Sequence, residues 1–296
     1  MRAELGLRRL DAQPSALAAD AGLARTRTTL RPAWSRSMVI GAVLVALWLL
    51  AALLAPLATY PPDELGVGEI LQAPSFAHPF GTDAFGRDMF SRVLYGARIA
   101  LRIALLGTAI SAALGLSLGL LAGFYAGWLD QGLSRTMDVW MAFPGLLLAI
   151  VIVARLGPSL DHAVIALGII GAPAFYRLMR SGALSIRRTE YVEAARAVGA
   201  NDRRIMSRHV LPNLTSSIIV LLTLRMGILI LAGGSLSFIG LGAQVPEPEW
   251  GALLAAGRDY MDAAPWLAII PGLCITLTVV GLNLFGDGLR DWLDPR

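Results

Sequence analysis

Residue types that carry out covalent, acid–base or metal chemistry are scarce in this sequence. All 25 residues of the lysine-plus-arginine count are arginines, so no lysine is available for a Walker A phosphate loop or a Schiff base. The single cysteine, Cys274, has no partner for an internal disulfide. His78, His162 and His209 are too scattered to indicate a metal site. We therefore expect no catalytic residue, no metal and no cofactor on this chain.

One formal catalytic motif is present, because the run from Gly115 to Gly119 matches G-x-S-x-G. That motif needs a strand–turn–helix context, and here it lies inside a long apolar segment. An intramembrane hydrolase using Ser117 with His162 or His209 also fails on placement, since both histidines fall in loops outside the membrane. We interpret the match as coincidental.

The elements that must position these residues are membrane helices. Hydrophobic residues make up 56% of the chain and charged residues only 16%, with a mean hydropathy of +0.63, which is too apolar for a water-facing globule. A bilayer core needs roughly 20 apolar residues per helix. The sequence therefore predicts an all-α, polytopic membrane protein with six transmembrane helices, at residues 39–58, 99–125, 139–154, 163–179, 214–241 and 266–285.

The distribution of charge predicts how the chain crosses the membrane. Residues 1–37 hold seven arginines and residues 177–208 hold eight, whereas residues 60–98 and 242–265 are acidic on balance. The positive-inside rule places the basic stretches and both termini in the cytoplasm, which explains the pI of 9.7 without a nucleic-acid partner. The predicted organisation is an Arg-rich tail (1–37), a first span (38–59), an extracytoplasmic loop (60–98), a core (99–286) containing a cytoplasmic loop (180–213), and a cytoplasmic tail (287–296).

Two local patterns refine this organisation. Within residues 60–98, the Asp83/Arg87 and Asp88/Arg92 pairs have i, i+4 spacing and predict an interfacial helix outside the membrane. The second span has a small residue at every fourth position, which predicts a central helix packed closely on its neighbours. These small residues are Gly107, Ser111, Gly115, Gly119, Gly123 and Gly127.

The most informative stretch lies in the basic loop, from Tyr191 to Gly199. At 100° per residue, Tyr191, Ala194, Ala195 and Val198 share one face of a short helix. Thr189 is placed to cap its start, and Gly199 is placed to end it in a left-handed conformation. Asn201 or Asp202 begins a second short helix, and Pro212 opens the fifth span. A helix of about two turns is marginal alone in water, so we expect it to dock on a partner.

These residues resemble a known family. Glu193-Ala194-Ala195, Gly199 four residues later, and Leu211-Pro212 twelve residues after that glycine are similar to the coupling loop of permease subunits in bacterial ABC importers. Further motifs resemble C-type permeases of dipeptide and oligopeptide importers, and the resemblance covers residues 38–296. These motifs are Phe80-Gly81-Thr82-Asp83, Gly86-Arg87-Asp88, Gly96-Ala97-Arg98, the run from Ser235 to Gly242, Trp250-Gly251, the run from Gly286 to Asp291, and Leu293-Asp294-Pro295.

The resemblance implies a type I ABC importer permease fold in the bacterial cytoplasmic (inner) membrane. It implies three kinds of partner besides membrane lipid: a second permease subunit, two ABC ATPase subunits that bind ATP and Mg, and an extracytoplasmic solute-binding protein. It also implies an ATPase-coupling role, with docking in a groove of an ATPase subunit, for Glu193, Ala194, Ala195, Gly199, Leu211 and Pro212.

Arg225 departs from the family pattern, because it lies near the middle of the fifth span. An arginine at a bilayer centre costs at least about 2.5 kcal/mol, so it must face the bundle, water or a partner charge. It either binds a substrate carboxylate or pairs with an acid on the second permease or snorkels to solvent. Arg177 and Arg180 are expected to be interfacial anchors.

Two alternatives to a peptide importer stay open from the sequence. A secondary transporter would also be polytopic and would suit an intramembrane arginine, but its usual inverted repeats are not evident. A related importer for nickel chelates, glutathione or other small solutes would share the same motifs. The residues do not choose among these substrates.

Overall fold

The computed structural model describes residues 35–293, and every regular element within that range is helical. Most of the predicted tail over residues 1–37, and residues 294–296 of the predicted C-terminal tail, lie outside the described range. The helices are α1 (Arg36–Leu54), α2 (Met89–Tyr125), α3 (Gly127–Met141), α4 (Gly145–Leu156), α5 (Leu160–Ile186), α6 (Glu190–Ala197), α7 (Asp202–Ile205), α8 (Leu211–Phe238), α9 (Trp250–Arg258) and α10 (Trp266–Leu293).

Five helical segments of the described chain are long and apolar enough to cross a membrane. They are α1 with its short 3-10 extension, α2, α5, the continuous α7–α8 segment, and α10. Helices α3 and α4 form a sixth candidate if they cross together as one bent span. The prediction of an all-α polytopic membrane protein is confirmed.

The third predicted span differs from the structure. Residues 139–154 were expected to form one helix, whereas α3 and α4 meet at an angle of 88°. The break lies at Pro144, which has extended rather than helical backbone angles at the start of α4. Proline cannot donate a helical hydrogen bond and disfavours helical geometry in the residue before it, so the helix ends and restarts there.

The interfacial helix predicted within residues 60–98 is wrong, because helix α2 begins at Met89 and runs without interruption through Tyr125. Asp88 caps α2 by accepting the N–H of Ser91 at 2.7 Å. With this cap and no proline to stop it, the helix outruns the bilayer: its 37 residues span roughly 55 Å at 1.5 Å per residue. Residues 60–88 form turns instead.

Side chains in this turn segment pair differently from the predicted i, i+4 pattern. Arg87 does bind Asp83, at 2.6 Å, but the two residues close a turn rather than a helix. Asp88 binds His78 at 2.9 Å, and the carboxylate nearest to Arg92 is that of Asp83, at 3.7 Å. These buried pairs fix the segment against the start of α2.

Four small residues of α2 pack directly on α5, as the sequence predicts: Ser111, Gly115, Gly119 and Gly123. Of the other two in the predicted series, Gly107 lies nearest Leu229 of α8, and Gly127 begins α3 with nothing within 4 Å of an added Cβ. A Cβ added at Gly119 would lie 2.5 Å from the carbonyl oxygen of Tyr176, and one added at Gly123 would lie 2.5 Å from that of Arg180. Ser111 donates to the carbonyl of Gly168 at 2.7 Å. The backbones therefore approach more closely than any larger residue would allow, and α2 and α5 form the centre of the fold.

Helix α10 lies between α1 and α8 and extends beyond its predicted end. A Cβ at Gly41 of α1 would lie 2.8 Å from the carbonyl of Gly281, and one at Gly286 would lie 2.9 Å from Leu224 of α8. Residues 287–293, predicted as a tail, continue the helix, because Gly288 packs against Met38 and no proline follows Pro271 within the helix.

Candidate coupling site

The basic loop folds as a compact module between α5 and α8. Helix α5 ends at Ile186, α6 and α7 follow, and a π-helical turn, Met206–Val210, leads directly into α8. A small apolar core holds the module together. Its buried members are Phe124, Ala183, Val192, Ile205 and Val210. Because these residues come from α2, α5, α6, α7 and the π turn, the loop is packed against the ends of the membrane helices.

Only a small part of α6 packs against the rest of the described chain. Val192 is fully buried and is the one buried residue of the helix. The face that carries Tyr191, Ala194 and Val198 is open among the described residues, since Tyr191 is 45% exposed, Val198 is 85% exposed and Ala194 is also exposed. An apolar face that residues 35–293 leave uncovered is available to a docking partner.

The residues of the E-A-A motif lie on or beside this open face. Glu193 and Ala194 are exposed and Ala195 is half-buried. Within residues 35–293, Glu193 forms no ion pair. A short helix with small side chains at its surface permits close approach of a partner, and the carboxylate of Glu193 is free to accept a hydrogen bond there.

The turn that ends α6 depends on Gly199. Its φ of +87° is the left-handed conformation predicted from the sequence. The N–H of Gly199 bonds the carbonyl of Arg196 at 2.9 Å, and that of Ala200 bonds the carbonyl of Ala195 at 3.0 Å. A Cβ at Gly199 would have no neighbour within 4 Å, so the need for glycine is conformational and not steric.

The starts of α6, α7 and α8 can be compared with those that the sequence predicts. Thr189 precedes α6, but its hydroxyl donates to the carbonyl of Ile186 at 2.7 Å and does not cap the helix. Asn201 caps α7 by accepting the N–H of Arg204 at 2.9 Å. Pro212 is the second residue of α8, but it does not open a new helix as predicted, because the helical segment continues into α8 from the π turn.

Side-chain contacts tie α6 to the helices on both sides. Asn213 of α8 donates to the carbonyl of His209 at 2.6 Å, and the rings of His209 and Tyr191 lie 6.0 Å apart. On the other side, the guanidinium of Arg196 lies 5.3 Å from the ring of Phe124 at the end of α2. These contacts join α6 to both α2 and α8.

Sequence reasoning missed two features of this region. Val192 was assigned to neither face, although it anchors α6 to the core. Arg180, expected as an interfacial anchor, is bound by Asp130 of α3, with its Nη2 2.7 Å from the carboxylate. Spacing along the chain gives no signal for this pair, because it joins residues 50 positions apart.

Arg225 lies on α8, half-buried, beyond the coupling module. Among the described residues, no carboxylate lies within 4.0 Å of its guanidinium. Arg177 of α5, the other expected anchor, is exposed.

The sequence of this chain matches the model of a known protein family. A family model described as binding-protein-dependent transport system inner membrane component matches residues 115–296, which include α5 to α10.

Two relatives are similar to this chain over most of its length. The dipeptide transport system permease protein DppC of Alkalihalophilus pseudofirmus is 46% identical over 259 residues, which are 87% of this chain and 85% of that protein. The glutathione transport system permease protein GsiD of Salmonella typhimurium is 46% identical over 277 residues, 91% of each chain.

A solved structure shares the fold. An inward-facing crystal form of the MetNI methionine ABC transporter contains a chain that matches with a TM-score of 0.57 and 18% identity, over 69% of this chain and 96% of that one. At this identity the similarity concerns the fold alone. The family model covers more than half of the sequence and the relatives cover most of it, so the chain belongs to the family of binding-protein-dependent transport system inner membrane components.

Proposed function

We propose that this chain is the membrane-spanning permease subunit of an ATP-driven importer for di- or oligopeptides, and that α6 transmits the movement of an ATPase subunit to it. The proposal rests on which faces of α6 are buried and which are exposed. Its apolar face is open, while Val192 on its inner side is buried against residues from four other elements. Such a helix presents a docking surface and passes movement on to the membrane helices.

The coupling role falls to the residues that shape this surface. Ala194 and Ala195 allow close contact with a groove on the ATPase, and Glu193 accepts a hydrogen bond from it. Gly199 sets the turn that presents the helix, while Leu211 and Pro212 begin α8 and receive the movement.

The division of labour in the complex follows from what this chain lacks. ATP and Mg bind to two partner ATPase subunits, because no lysine exists here for a phosphate loop. When those subunits close on ATP, each α6-like helix moves with its ATPase. The membrane helices attached to it then move too, and the transport pathway opens alternately to the inside and to the outside. ATP hydrolysis does not take place on this chain.

The remaining partners complete the transport path in the bacterial inner membrane. A second permease subunit pairs with this one, and substrate crosses between them. An extracytoplasmic solute-binding protein delivers substrate on the side opposite α6, and both termini are cytoplasmic, as the arginine distribution favours. Family membership removes the secondary-transporter alternative. Glutathione and related small solutes stay as a second candidate, because a relative 46% identical is named as a glutathione permease.

The docking role of α6 is tested by enlarging its open face. In the complete complex, Ala194→Trp should prevent stable association of the ATPase subunits and abolish ATP-dependent uptake, while membrane insertion stays normal. Ser207→Trp, an exposed small residue in the π turn, is the matched control and should retain both. Co-purification of the ATPase and uptake in proteoliposomes measure the result. Normal assembly and uptake with Ala194→Trp would show that this face docks nothing.

The geometry of the turn is tested separately at Gly199. Valine at a left-handed position costs about 1–2 kcal/mol or more, which is enough to reshape the turn. Asparagine tolerates that conformation and occupies the same open space. We expect Gly199→Val to lose uptake and Gly199→Asn to retain most of it. Equal activities for the two variants would contradict the requirement for this turn.

A further inference from the structure

A groove lies between α1 and α2, near the ends of the two helices that the turn segment connects. It encloses about 730 Å³. Its α1 wall is apolar and includes Leu49, Leu53 and Pro56. The indole N–H of Trp48 donates to the carbonyl of Ala97 at 3.1 Å, and this buried hydrogen bond holds α1 against α2 beside the groove. The groove is therefore a fixed feature of the contact between two membrane helices.

The α2 wall of the groove changes from charged to apolar along the helix. Arg98 and Arg102 come first, and Leu105 and Leu106 follow about one turn later, toward the middle of α2. Arg102 binds Asp161, in the first turn of α5, at 2.5 Å, so it lies at the level where α5 begins. An arginine at a helix end lies at the depth of the lipid head groups, and leucines closer to the middle of the span lie at the depth of the acyl chains.

The leucines of the groove are largely uncovered by the described residues. Leu53 is 75% exposed, Leu105 is 52% exposed and Leu106 is 47% exposed. Exposed leucines on a membrane helix are in contact with lipid chains or with another helix, because neither partner requires hydrogen bonds from them.

The charge at the end of the groove distinguishes between these two occupants. Arg98 is exposed and, within residues 35–293, forms no ion pair. Its guanidinium lies 5.9 Å from the ring centroid of Tyr95, a contact that leaves its N–H groups free to donate. Asp161 balances Arg102, so Arg98 supplies one positive charge that these neighbours do not balance. One positive charge above an apolar groove complements the single negative charge of a phosphodiester above its acyl chains.

We propose that this groove binds one phospholipid molecule, with its phosphate held by Arg98 and its acyl chains lying on the leucines of α1 and α2. The planar guanidinium forms two parallel hydrogen bonds with phosphate oxygens. Basic pockets between transmembrane helices recognise phospholipid head groups in this way. A second protein helix would cover the leucines equally well, but it would also have to place an acid at Arg98. Lipid binding at this groove does not depend on the transport function proposed above.

The charged end of the groove is tested by lipid binding to the full-length chain, purified in detergent with its partner subunits and stripped of lipid. The probe is dioleoylphosphatidylglycerol, and native mass spectrometry measures the bound lipid. Arg98→Gln should weaken binding by about ten-fold or more, because charge-assisted hydrogen bonds to the phosphate are lost. Arg155→Gln, at an exposed arginine in the last turn of α4 and outside the groove, is the matched control and should bind as the wild type does.

The apolar part of the groove is tested by filling it. Leu105→Trp should reduce lipid binding by a similar factor, whereas Leu114→Trp, at a residue of the same helix that is 40% exposed and does not line the groove, should leave it unchanged. Glycerol 3-phosphate carries a phosphate but no acyl chains, so it should not displace the lipid at equal concentration.

Three outcomes would overturn the proposal. Equal lipid affinities of Arg98→Gln and Arg155→Gln would show that the guanidinium holds no phosphate. Displacement of the lipid by glycerol 3-phosphate would indicate a site for free anions. Dissociation of a partner subunit from Leu105→Trp, with the Leu114→Trp complex intact, would assign the groove to a contact between subunits. The side chain of Arg98 is exposed, so its replacement tests the site without disturbing the packing of α1 on α2.

Discussion

Glu249 is a carboxyl group held almost entirely away from water. It is 2% exposed at the start of α9, where it accepts the N–H of Ala252 at 3.0 Å. Burial raises the pKa of Glu249 above its ordinary value, because the charged form loses hydration, while the backbone N–H groups of Gly251 and Ala252 partly oppose the change. Glu249 caps α9 and its carboxylate lies beside Gly234 of α8, so a change in its protonation acts where two helices pack.

The raised pKa predicts the direction in which stability depends on pH. An acid whose pKa rises on folding binds its proton more tightly in the folded state, so its contribution is present below about pH 4.5 and is lost as pH rises through the folded value. Glutamine does not titrate. We therefore expect the thermal midpoint of the detergent-solubilised protein to fall less between pH 4.5 and 8 in Glu249→Gln than in the wild type.

The exposed neighbour Glu247 supplies the control for this measurement. Glu247→Gln removes the same kind of group without removing a buried carboxyl, so its thermal midpoint should follow the wild-type dependence on pH. An identical pH dependence for Glu249→Gln and the wild type would show that burial of Glu249 does not control the effect.

At the scale of helices, the fold depends on the close contact of α2 and α5. Small residues at every fourth position let the two backbones meet, and each contact is with a carbonyl group that cannot move aside cheaply. The same property explains why α2 tolerates so many glycines in a helix of 37 residues. Each glycine weakens the isolated helix, and the packing it permits offsets that loss.

Two single glycine-to-alanine variants test whether close contact with α5 requires glycine in α2. A Cβ at Gly119 would lie 2.5 Å from the carbonyl oxygen of Tyr176, so Gly119→Ala should destabilise the protein by about 1–3 kcal/mol. A Cβ at Gly132 of α3 would meet nothing within 4 Å, so Gly132→Ala should be neutral or stabilise by about 0.5–1 kcal/mol. Thermal unfolding in detergent compares them. Equal midpoints for the two variants would contradict a tight α2–α5 contact.

The sequence predicts helices well where one rule governs the segment and poorly where two rules compete. Apolar length located the spans, and the left-handed turn at Gly199 followed from residue type alone. The prediction of the third span was wrong because its apolar content favours one helix while Pro144 favours a break. The prediction for the start of α2 was wrong because its charged pairs resemble those of a separate surface helix, although the cap at Asp88 and continuous helical propensity extend the span outward.

The candidate site shows the same limit at the level of contacts. The sequence located the coupling helix and its end, because these depend on local chemistry. It did not predict that Val192 anchors α6, nor that Asp130 of α3 binds Arg180. Those contacts depend on how helices distant in the sequence pack together, and no local pattern encodes that packing.

At the scale of the whole molecule, charge orients the bundle. The module of α6, α7 and the π turn lies at the opposite end of α8 from the segment that holds Glu247 and α9, because α8 is one continuous helix between them. The module exposes Arg188, Arg203, Arg204 and Arg208, whereas the other end carries the acidic residues of the α8–α10 connection. This asymmetry predicts that α6 faces the cytoplasm.

A topology experiment tests the orientation of the entire chain. A reporter enzyme that is active only outside the cytoplasm should be silent when fused after Arg296 and active when inserted at Glu247, an exposed residue between α8 and α9. The two sites lie at opposite ends of α10, so a single crossing separates them. A second insertion at Arg203 in α7 should be silent, because the arginine-rich module stays inside. Activity at Arg203 together with silence at Glu247 would show that the chain has the opposite orientation, with α6 out of reach of any cytoplasmic ATPase.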